Sequence, residues 1–350
     1  MRRLFLIICT VMASVEICYS ICLGDSITKE FVDPFHINSG VRVISNDSIF
    51  ESDEHYGLMF KILTDNTVEF TDYRNNSIRY DSLVIPEHVF VNAKQYTVVG
   101  IGEGCMSRSY YTLDLRPYDP DADLSYYGPS YLYIPSTVKY ISNLAFSGNV
   151  NLKTVVFNEG LETIGIQAFY GCGITQIIIP STVNYINVEA FQNCMSLESI
   201  VVSPDNRHYD SRNNCNAIID SKNEYMFVTC KNTLFLNEIT SMCVTNNVPK
   251  VKLGKKNQCK SLTVHSYTPK IIDVRRCSAL KRLTISSNHY QPEIEKVLLP
   301  SGLQFLLVSK VAPNKIKGKL IKDEKIEDKR YSKRINYDPE TPFIEINIQQ

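Results

Sequence analysis

One serine of the chain stands in a short segment of the kind that can supply a nucleophile. The segment is Gly24–Thr28, with the sequence GDSIT and Ser26 at its centre. A serine becomes nucleophilic when a histidine takes its proton and a carboxylate orients that histidine. Aspartate and histidine occur three residues apart at 33–36 and again at 205–208. These residues are the candidates for hydrolytic chemistry.

A scaffold for that chemistry is missing from the sequence. The GDSIT segment resembles the nucleophile block of SGNH hydrolases, in which the block follows the first buried strand of a parallel α/β sheet. Here the apolar run before it has the features of a signal peptide, the pair at 33–36 lies too early in the chain, and the pair at 205–208 falls in a predicted insert. We therefore expect no enzyme, and an SGNH-type hydrolase is kept only as a distant alternative.

Three alternating carboxylates, Asp119, Asp121 and Asp123, resemble the start of a calcium-binding loop. Such a loop needs glycine at its sixth position and glutamate at its twelfth, where this chain has Leu124 and Ser130. No C-x-x-C pair or histidine cluster supports zinc. We expect neither a metal nor a cofactor.

The N-terminus predicts export. Two arginines precede an apolar run over residues 4–15, and small residues lead to Ser20, which is the arrangement of a secretory signal peptide. The run is too short to span a bilayer. We expect cleavage after Ser20 and a secreted or cell-surface protein with no transmembrane segment in the mature chain. Lipid anchoring at Cys18 or Cys22 is the less favoured alternative.

A motif of isoleucine, alanine and phenylalanine recurs along the middle of the chain, with alanine spacings of 23 and 22 residues. The copies are Ile141, Ala145 and Phe146, then Ile164, Ala168 and Phe169, then Ile186, Ala190 and Phe191. An alternating apolar run with the leucine-rich-repeat strand pattern L-x-x-L-x-L follows each copy. Because one such unit cannot bury its apolar face alone, successive coils must stack on one another.

These residues resemble the BspA-like leucine-rich-repeat surface proteins of Bacteroidetes. Their units read roughly I-P-x-x-V-x-x-I-x-x-x-A-F-x-x-C-x-x-L-x-x-I, and residues 179–202 match this pattern closely. The resemblance implies an α/β solenoid, a right-handed superhelix of short parallel strands with a β-rich N-terminal cap and a β-hairpin insert. It also implies a surface protein that contacts matrix proteins, glycoproteins or other bacteria.

The same pattern divides the chain into successive segments. We expect a signal peptide at 1–20, an N-terminal segment at 21–55, a β-rich cap with a degenerate repeat and a tyrosine-rich insertion at 56–133, core repeats at 134–203, a β-hairpin insert at 204–236, degenerate repeats at 237–310 and a charged tail at 311–350.

Two columns of side chains are the first candidates for a binding site. Residues between the apolar positions of each strand point away from the core, because side chains alternate along a strand. The columns are polar Thr154, Gln176 and Ser199, beside aliphatic Val156, Ile178 and Val201. We expect them on the concave face. The alternatives are that β-branched residues simply suit a strand, or that a loop covers them.

A tyrosine-rich insertion is the second candidate, because tyrosine offers a large contact area at low entropic cost. Its tyrosines are Tyr110, Tyr111, Tyr118, Tyr126 and Tyr127. The alternative is that they pack on the solenoid.

Four cysteines occupy informative positions. Cys172 and Cys194 hold the same repeat position on adjacent coils, and we favour buried thiols there over a disulfide. In the insert, a turn near residues 222–223 would place Cys215 opposite Cys230, where a disulfide could form in an oxidising compartment.

The net charge bears on the partner. With 37 basic and 37 acidic residues, the formal charge is zero, so no whole-chain field favours nucleic acid. We predict an adhesin-like protein that binds an extracellular protein or glycoprotein and not nucleic acid. The alternative is a structural, self-assembling surface component, for which the lysine-rich stretch 310–334 would be available.

Overall fold

The computed structural model describes residues 49–51, 58–73, 82–107, 128–265, 269–285, 294–309, 316–317 and 343–344. These residues fall into two compact units. The first unit comprises the described residues of Val32–Ser221 together with Cys230–Asn232, and the second comprises those of Lys222–Thr229 and Thr233–Gln350.

Regular structure in the described residues is almost entirely β-strand. The strands are β1 Ile49–Glu51, β2 Leu58–Ile62, β3 Thr67–Tyr73, β4 Ser82–Val84, β5 His88–Val91, β6 Lys94–Ile101, β7 Tyr131–Ile134, β8 Tyr140–Ile141, β9 Thr154–Phe157, β10 Thr163–Ile164, β11 Gln176–Ile179, β12 Tyr185–Ile186, β13 Ser199–Val202, β14 Tyr209–Asp210, β15 Ala217–Asp220, β16 Tyr225–Thr229, β17 Ser241–Val244, β18 Lys250–Lys252, β19 Ser261–Val264, β20 Ile271–Asp273, β21 Arg282–Ile285, β22 Lys296–Leu298, β23 Phe305–Ser309, β24 Ile316–Lys317 and β25 Phe343–Ile344. One 3₁₀ turn, Arg212–Asn214, interrupts them.

The first unit is a stack of coils that each contribute two strands. Strands β4, β7 and β9 form one parallel sheet, and β11 pairs in parallel with β13. On the other side of each coil, the two-residue strands β8, β10 and β12 pair in parallel with one another, and β8 pairs in parallel with the eight-residue β6. The antiparallel strands β1, β2 and β3 extend this second sheet at its N-terminal end. The stretch predicted to be a β-rich cap thus contains β2 to β7.

The second unit repeats the two-strand coil. Strands β17, β19, β21 and β23 pair in parallel. The spacings between the starts of successive strands are 20, 21 and 23 residues. Strands β18, β20, β22 and β24 form the companion parallel sheet. The second unit is therefore built from solenoid coils as well, although the sequence motif is faint there.

The expected α/β architecture is corrected, because in the described residues the segments between the strands are turns and not helices. Phe146 N–H donates to the carbonyl of Ala168, 2.8 Å away on the next coil, whereas an α-helix would direct it back along its own chain. Gly148 and Gly171 have φ of 79° and 69°, values that an α-helix does not accommodate. The peptide groups are thus satisfied between coils, and each unit is a β-solenoid.

The repeated phenylalanines form the centre of the first unit's core. Phe146, Phe169 and Phe191 are fully buried, and their rings stack with centroids 5.3 Å apart at both steps. The repeated alanines are fully buried as well, which allows the turn to approach the sheet closely. The residues that carry the periodicity in the sequence are therefore the ones that touch their equivalents in the next coil.

The predicted insert at 204–236 contains a strand pair in addition to the hairpin expected around residues 222–223. Within the first unit, β14 pairs antiparallel with β15, with Tyr209 opposite Asp220 and Asp210 opposite Ile219. Asp210 accepts hydrogen bonds from Arg212 and Ser221, which closes this small pair. The sequence did not predict the pairing of β14.

Several sequence predictions lie outside the described residues. These are the signal peptide, the N-terminal segment up to residue 48, the GDSIT segment, the pair at 33–36, the aspartates at 119–123, the five tyrosines of the insertion, and the tail apart from 316–317 and 343–344.

Candidate binding surface

Both predicted columns lie on the outer face of the longer strands of the first unit. Across β11 and β13, Gln176 is in register with Ser199, and Ile178 with Val201. Thr154 and Gln176 are exposed and Ser199 is half-buried. Ile178 and Val201 are 53% and 43% exposed, which is high for aliphatic side chains on a sheet.

The aliphatic column is longer than the sequence motif indicated. Across β4, β7 and β9, Val84 is in register with Tyr133, and Tyr133 with Val156. Val84 is 55% exposed, while Tyr133 and Val156 are half-buried. We call these five residues, Val84, Tyr133, Val156, Ile178 and Val201, the apolar stripe.

Sequence reasoning missed the first two members of the stripe, although a signal was present. Residues 85–89 read IPEHV and residues 134–138 read IPSTV, so the I-P-x-x-V step that follows a repeat strand also follows β4. The coil before the first recognised motif therefore contributes to the surface.

The coils beneath the stripe are joined by backbone hydrogen bonds. Thr175 N–H donates to the carbonyl of Lys153 at 3.2 Å, and Glu198 N–H donates to the carbonyl of Thr175 at 2.9 Å. Because parallel strands lie about 4.8 Å apart, the five residues extend over about 19 Å. The inward neighbours of the stripe, Val155, Ile177 and Ile200 among them, are buried, so the stripe stands on a packed scaffold.

Side chains of successive coils fix the turns where the stripe strands end. Ser181 donates to Glu159 through both its hydroxyl, 2.7 Å from Oε2, and its N–H, 3.1 Å from Oε1. The side-chain hydrogen bond from Ser181 is the main reason that the pKa of the exposed Glu159 carboxyl is lowered. Thr182 Oγ1 donates to the carbonyl of Leu161 at 2.7 Å. These turns are therefore held in place by hydrogen bonds, and the Glu159 carboxylate gives them a negative charge.

The repeat cysteines Cys172 and Cys194 are buried thiols and not a disulfide. Cys172 Sγ donates to the carbonyl of Phe146 at 3.1 Å, and Cys194 Sγ to the carbonyl of Phe169 at 3.2 Å. Burial raises the pKa of both thiols, to about 12 for Cys194. Since the thiolate is the reactive form, this environment suits structural cysteines.

The cysteines of the insert are also buried thiols in the structure. Cys230 Sγ donates to the carbonyl of Asn216, 3.4 Å away, which brings it beside the residue that follows Cys215. Burial is the main reason that the pKa of Cys215 is raised to about 11. A bridge between Cys215 and Cys230 remains a prediction for oxidising conditions.

The described half of the hydrolase alternative lies in a surface turn. Asp205 and His208 are exposed just after β13. Ser203 Oγ accepts a hydrogen bond from the Asp205 N–H at 3.4 Å, and Asn206 Oδ1 accepts one from the His208 N–H at 2.9 Å. Their backbone groups thus shape the turn.

The described part of the chain contains neither a cluster of metal-binding side chains nor a membrane-spanning helix. There, no three histidine, cysteine, aspartate or glutamate side chains are grouped so that they could hold a metal ion. No helix within those residues has the length and apolar character needed to cross a membrane.

Comparison with known proteins identifies the repeats. Residues 126–233 match the model of the BspA type leucine rich repeat region, in six copies. The match confirms, over those residues, the resemblance predicted from the sequence. No curated protein matches the chain significantly.

Solved structures of bacterial leucine-rich-repeat proteins are similar to this chain. The pneumococcal vaccine antigen PcpA shares 16% identity, with 74% of this chain and 77% of that chain covered and a TM-score of 0.40. A leucine-rich repeat protein from Bacteroides capillosus shares 20% identity over 45% of this chain and 99% of that one, with a TM-score of 0.36. A leucine rich cell surface protein from Faecalibacterium prausnitzii shares 16% identity over 75% and 85%, with a TM-score of 0.25.

Proposed function

We propose that this protein, in which residues 126–233 are a BspA-type leucine-rich-repeat region, binds another protein through the apolar stripe at the cell surface or outside the cell. The observation that carries the proposal is a set of five apolar side chains on the outer face of stacked strands, with Val84, Tyr133 and Val156 in register in one sheet and Ile178 and Val201 in register in the next, on coils joined by the hydrogen bond from Thr175 to Lys153. Solvent-exposed apolar residues that form a contiguous patch are typical of a partner site.

The energetics of the stripe support association. Fully burying an aliphatic side chain contributes about 1.5–3 kcal/mol, so covering the exposed halves of Val84, Ile178 and Val201 would contribute about 2–4 kcal/mol. Because these side chains stand on hydrogen-bonded, packed coils, little ordering entropy opposes binding. The stripe can therefore act as the apolar centre of an interface.

The neighbouring polar column would position the partner along the stripe through hydrogen bonds. Ser82, Tyr131 and Thr154 are aligned across β4, β7 and β9, and Gln176 and Ser199 continue the column. Hydroxyl and amide groups beside an apolar centre are the usual rim of a protein interface. A partner with an apolar ridge flanked by polar groups fits this face, and an extracellular matrix protein or glycoprotein is the class we propose.

Two parts of the proposal rest on the sequence. Export through residues 1–20 would bring the chain to such partners, and the tyrosines of the insertion would add a second contact area. The insertion is followed in the sequence by β7, where Tyr131 is aligned with the polar column and Tyr133 belongs to the apolar stripe. The second contact area would therefore adjoin the first.

The test is a binding screen of the full chain against extracellular-matrix proteins, mucins and glycans, with two matched double variants. Ile178→Asp/Val201→Asp places two carboxylates in the stripe. Val150→Asp/Leu234→Asp places two at apolar residues that are 55% and 56% exposed elsewhere. We expect the stripe variant to bind at least about tenfold more weakly than the wild type, while the control variant binds normally.

Circular dichroism and thermal unfolding of all three proteins separate loss of binding from loss of fold. Equal binding by the wild type and a folded stripe variant would overturn the proposal. Self-association that the stripe variant abolishes, in the absence of any captured partner, would instead favour the structural surface component.

A further inference from the structure

The zero net charge of the chain conceals two oppositely charged units. In the described residues of the first unit, thirteen aspartates and glutamates stand against seven lysines and arginines, whereas in the second unit four stand against thirteen. The basic residues of the second unit are Lys222, Lys250, Lys252, Lys255, Lys256, Lys260, Lys270, Arg275, Arg276, Lys281, Arg282, Lys296 and Lys317.

Several of these cations share one sheet of the second unit. Strands β18, β20 and β22 are in parallel register, with Lys250 aligned to Ile271 and Ile271 to Lys296. The buried residues Val251, Ile272 and Val297 point inward, so Lys250, Lys252 and Lys296 point outward, and all three are exposed. Because Lys250 and Lys296 lie two strands apart, their backbones are separated by about 10 Å.

The turns that follow these strands extend the same charge. Leu253 N–H donates to the carbonyl of Asp273 at 3.1 Å, so the turns after β18 and β20 begin side by side. Lys255 and Lys256 are exposed in the first turn, and Arg276 is exposed in the second. Cations of two successive coils thus stand next to one another.

Carboxylates neutralise only part of this charge. Arg275 is held by Asp273 through two hydrogen bonds of 2.9 Å, and Lys270 lies 3.9 Å from Glu295. Within the described part of the chain, the other cations of this sheet and its turns have no carboxylate oxygen within 4 Å, although Lys252 is in register with Asp273, the carboxylate that holds Arg275. We call these six residues, Lys250, Lys252, Lys255, Lys256, Arg276 and Lys296, the basic face.

We infer that the basic face binds a sulfated polysaccharide. A polyanion that lies over this sheet meets the lysines of β18 and β22 and the cations of the two turns, and it gains from release of its counterions as each charge is neutralised. Because β20 presents Ile271 and Asp273 at the aligned outward positions, its coil contributes a cation through Arg276 in the turn that follows the strand.

The residue types favour sulfate on a sugar chain over nucleic acid. Five of the six cations are lysines, which act as hydrated point charges and attract sulfate and phosphate alike. Binding of single strands also uses aromatic side chains as stacking platforms. The outward residues of β18, β20 and β22 in the described sheet include no aromatic side chain.

This inference does not depend on the apolar stripe, which belongs to the first unit. It adds a second binding surface with a different chemistry, and either surface can fail its test without affecting the other.

The test measures binding of the full chain and its variants by titration calorimetry to a sulfated heparin oligosaccharide and to two comparison ligands. The ligands are the oligosaccharide, its desulfated form, and a single-stranded DNA of similar charge. The first variant is Lys252→Gln/Lys255→Gln/Lys256→Gln/Arg276→Gln. The control variant, Lys139→Gln/Lys153→Gln/Arg207→Gln/Lys231→Gln, removes four exposed cations from the first unit.

We expect binding of the sulfated form alone, a loss of affinity of at least about tenfold in the basic-face variant, and little change in the control. Affinity should fall steeply between 0.05 M and 0.5 M NaCl. A charge-preserving variant, Lys252→Arg/Lys255→Arg/Lys256→Arg/Arg276→Lys, should bind within a few-fold of the wild type, which shows that charge and not local packing is responsible.

Three outcomes would overturn the inference. They are no binding of the sulfated oligosaccharide at 0.05 M NaCl, equal losses in the basic-face and control variants, and tighter binding of the DNA than of the sulfated oligosaccharide at the same salt concentration.

Discussion

Single residues in the turns decide how closely successive coils can approach. Gly160 has a φ of 115°, a conformation that side chains disfavour, and its N–H donates to Thr182 Oγ1 at 2.9 Å. A Cβ on Gly160 would lie 2.1 Å from the carbonyl oxygen of Ser136 on the preceding coil. Glycine is therefore required here by both the backbone conformation and the close approach.

The substitution Gly160→Ala tests this requirement. We expect the free energy of unfolding to fall by about 1–3 kcal/mol, because the new methyl group meets backbone that cannot move aside without shifting a coil. Urea unfolding monitored by circular dichroism measures the change. Gly254→Ala is the control, since a Cβ there has no heavy atom within 4 Å. Equal losses in both variants would contradict the explanation.

At the scale of the element, the coil is held by contacts between equivalent residues. Phe169 lies between Phe146 and Phe191, with interplanar angles of 11° and 4°, and Phe157 meets its edge at 5.6 Å. Offset stacking of this kind adds to the free energy gained by burial. A coil that loses its central ring loses contacts with both neighbours.

Replacement of this ring should be costly. Phe169→Ala is expected to lower the free energy of unfolding by about 3–5 kcal/mol, because it leaves a cavity in a fully buried stack. Phe169→Leu should cost clearly less, since it restores most of the volume without the ring. Thermal and urea unfolding of the two variants compare these costs. Similar losses in both would mean that ring stacking, and not volume, dominates.

At the scale of the whole molecule, charge is separated along the chain. Among the described residues, the first unit has an excess of carboxylates and the second an excess of cations, although the formal charge of the whole chain is zero and its sequence pI is about 7.0. Charged groups in salt solution interact over about one Debye length, roughly 10 Å at 0.1 M salt. An ion-exchange surface close to one unit should therefore interact with the charge of that unit and not with the net charge of the whole chain.

Ion-exchange chromatography at pH 7 tests this separation. We expect the wild-type chain to be retained by both cation and anion exchangers in 0.05 M NaCl. The basic-face variant should elute earlier from the cation exchanger and later from the anion exchanger. Passage of the wild type through both columns, as expected of a uniformly neutral surface, would show that the charges are not segregated.

The amino-acid sequence alone predicted the repeat, the strands β9, β11 and β13 that follow its motif, and most of the buried positions of those coils. Phe169 stacks on its equivalents one period away, and its N–H donates to the repeat alanine of the next coil, Ala190, so the spacing of the motif reflects the stacking of the coils. The I-P steps at the ends of β7 and β11 were predicted for a similar reason, because proline cannot continue the ladder. The family resemblance drew on the same local motif.

The sequence predicted degenerate repeats at 237–310, but only the tertiary structure decided the strands and register of those coils and the surfaces that the two units present. From β17 onward the motif fades, yet the coils persist, because stacking requires only alternating burial and a period near that of the first unit. The turns replaced the expected helices because their N–H groups found carbonyls on the next coil, a partner that no local pattern reveals.

The surfaces followed the same logic. Val84 and Tyr133 joined the apolar stripe only through register across β4, β7 and β9. The net charge of the chain gave no sign of the basic face, because a net charge of zero does not show where the charged residues lie. Sequence periodicity records the contacts that each repeat makes with an identical neighbour, whereas a binding surface depends on which unlike side chains the stacking brings together.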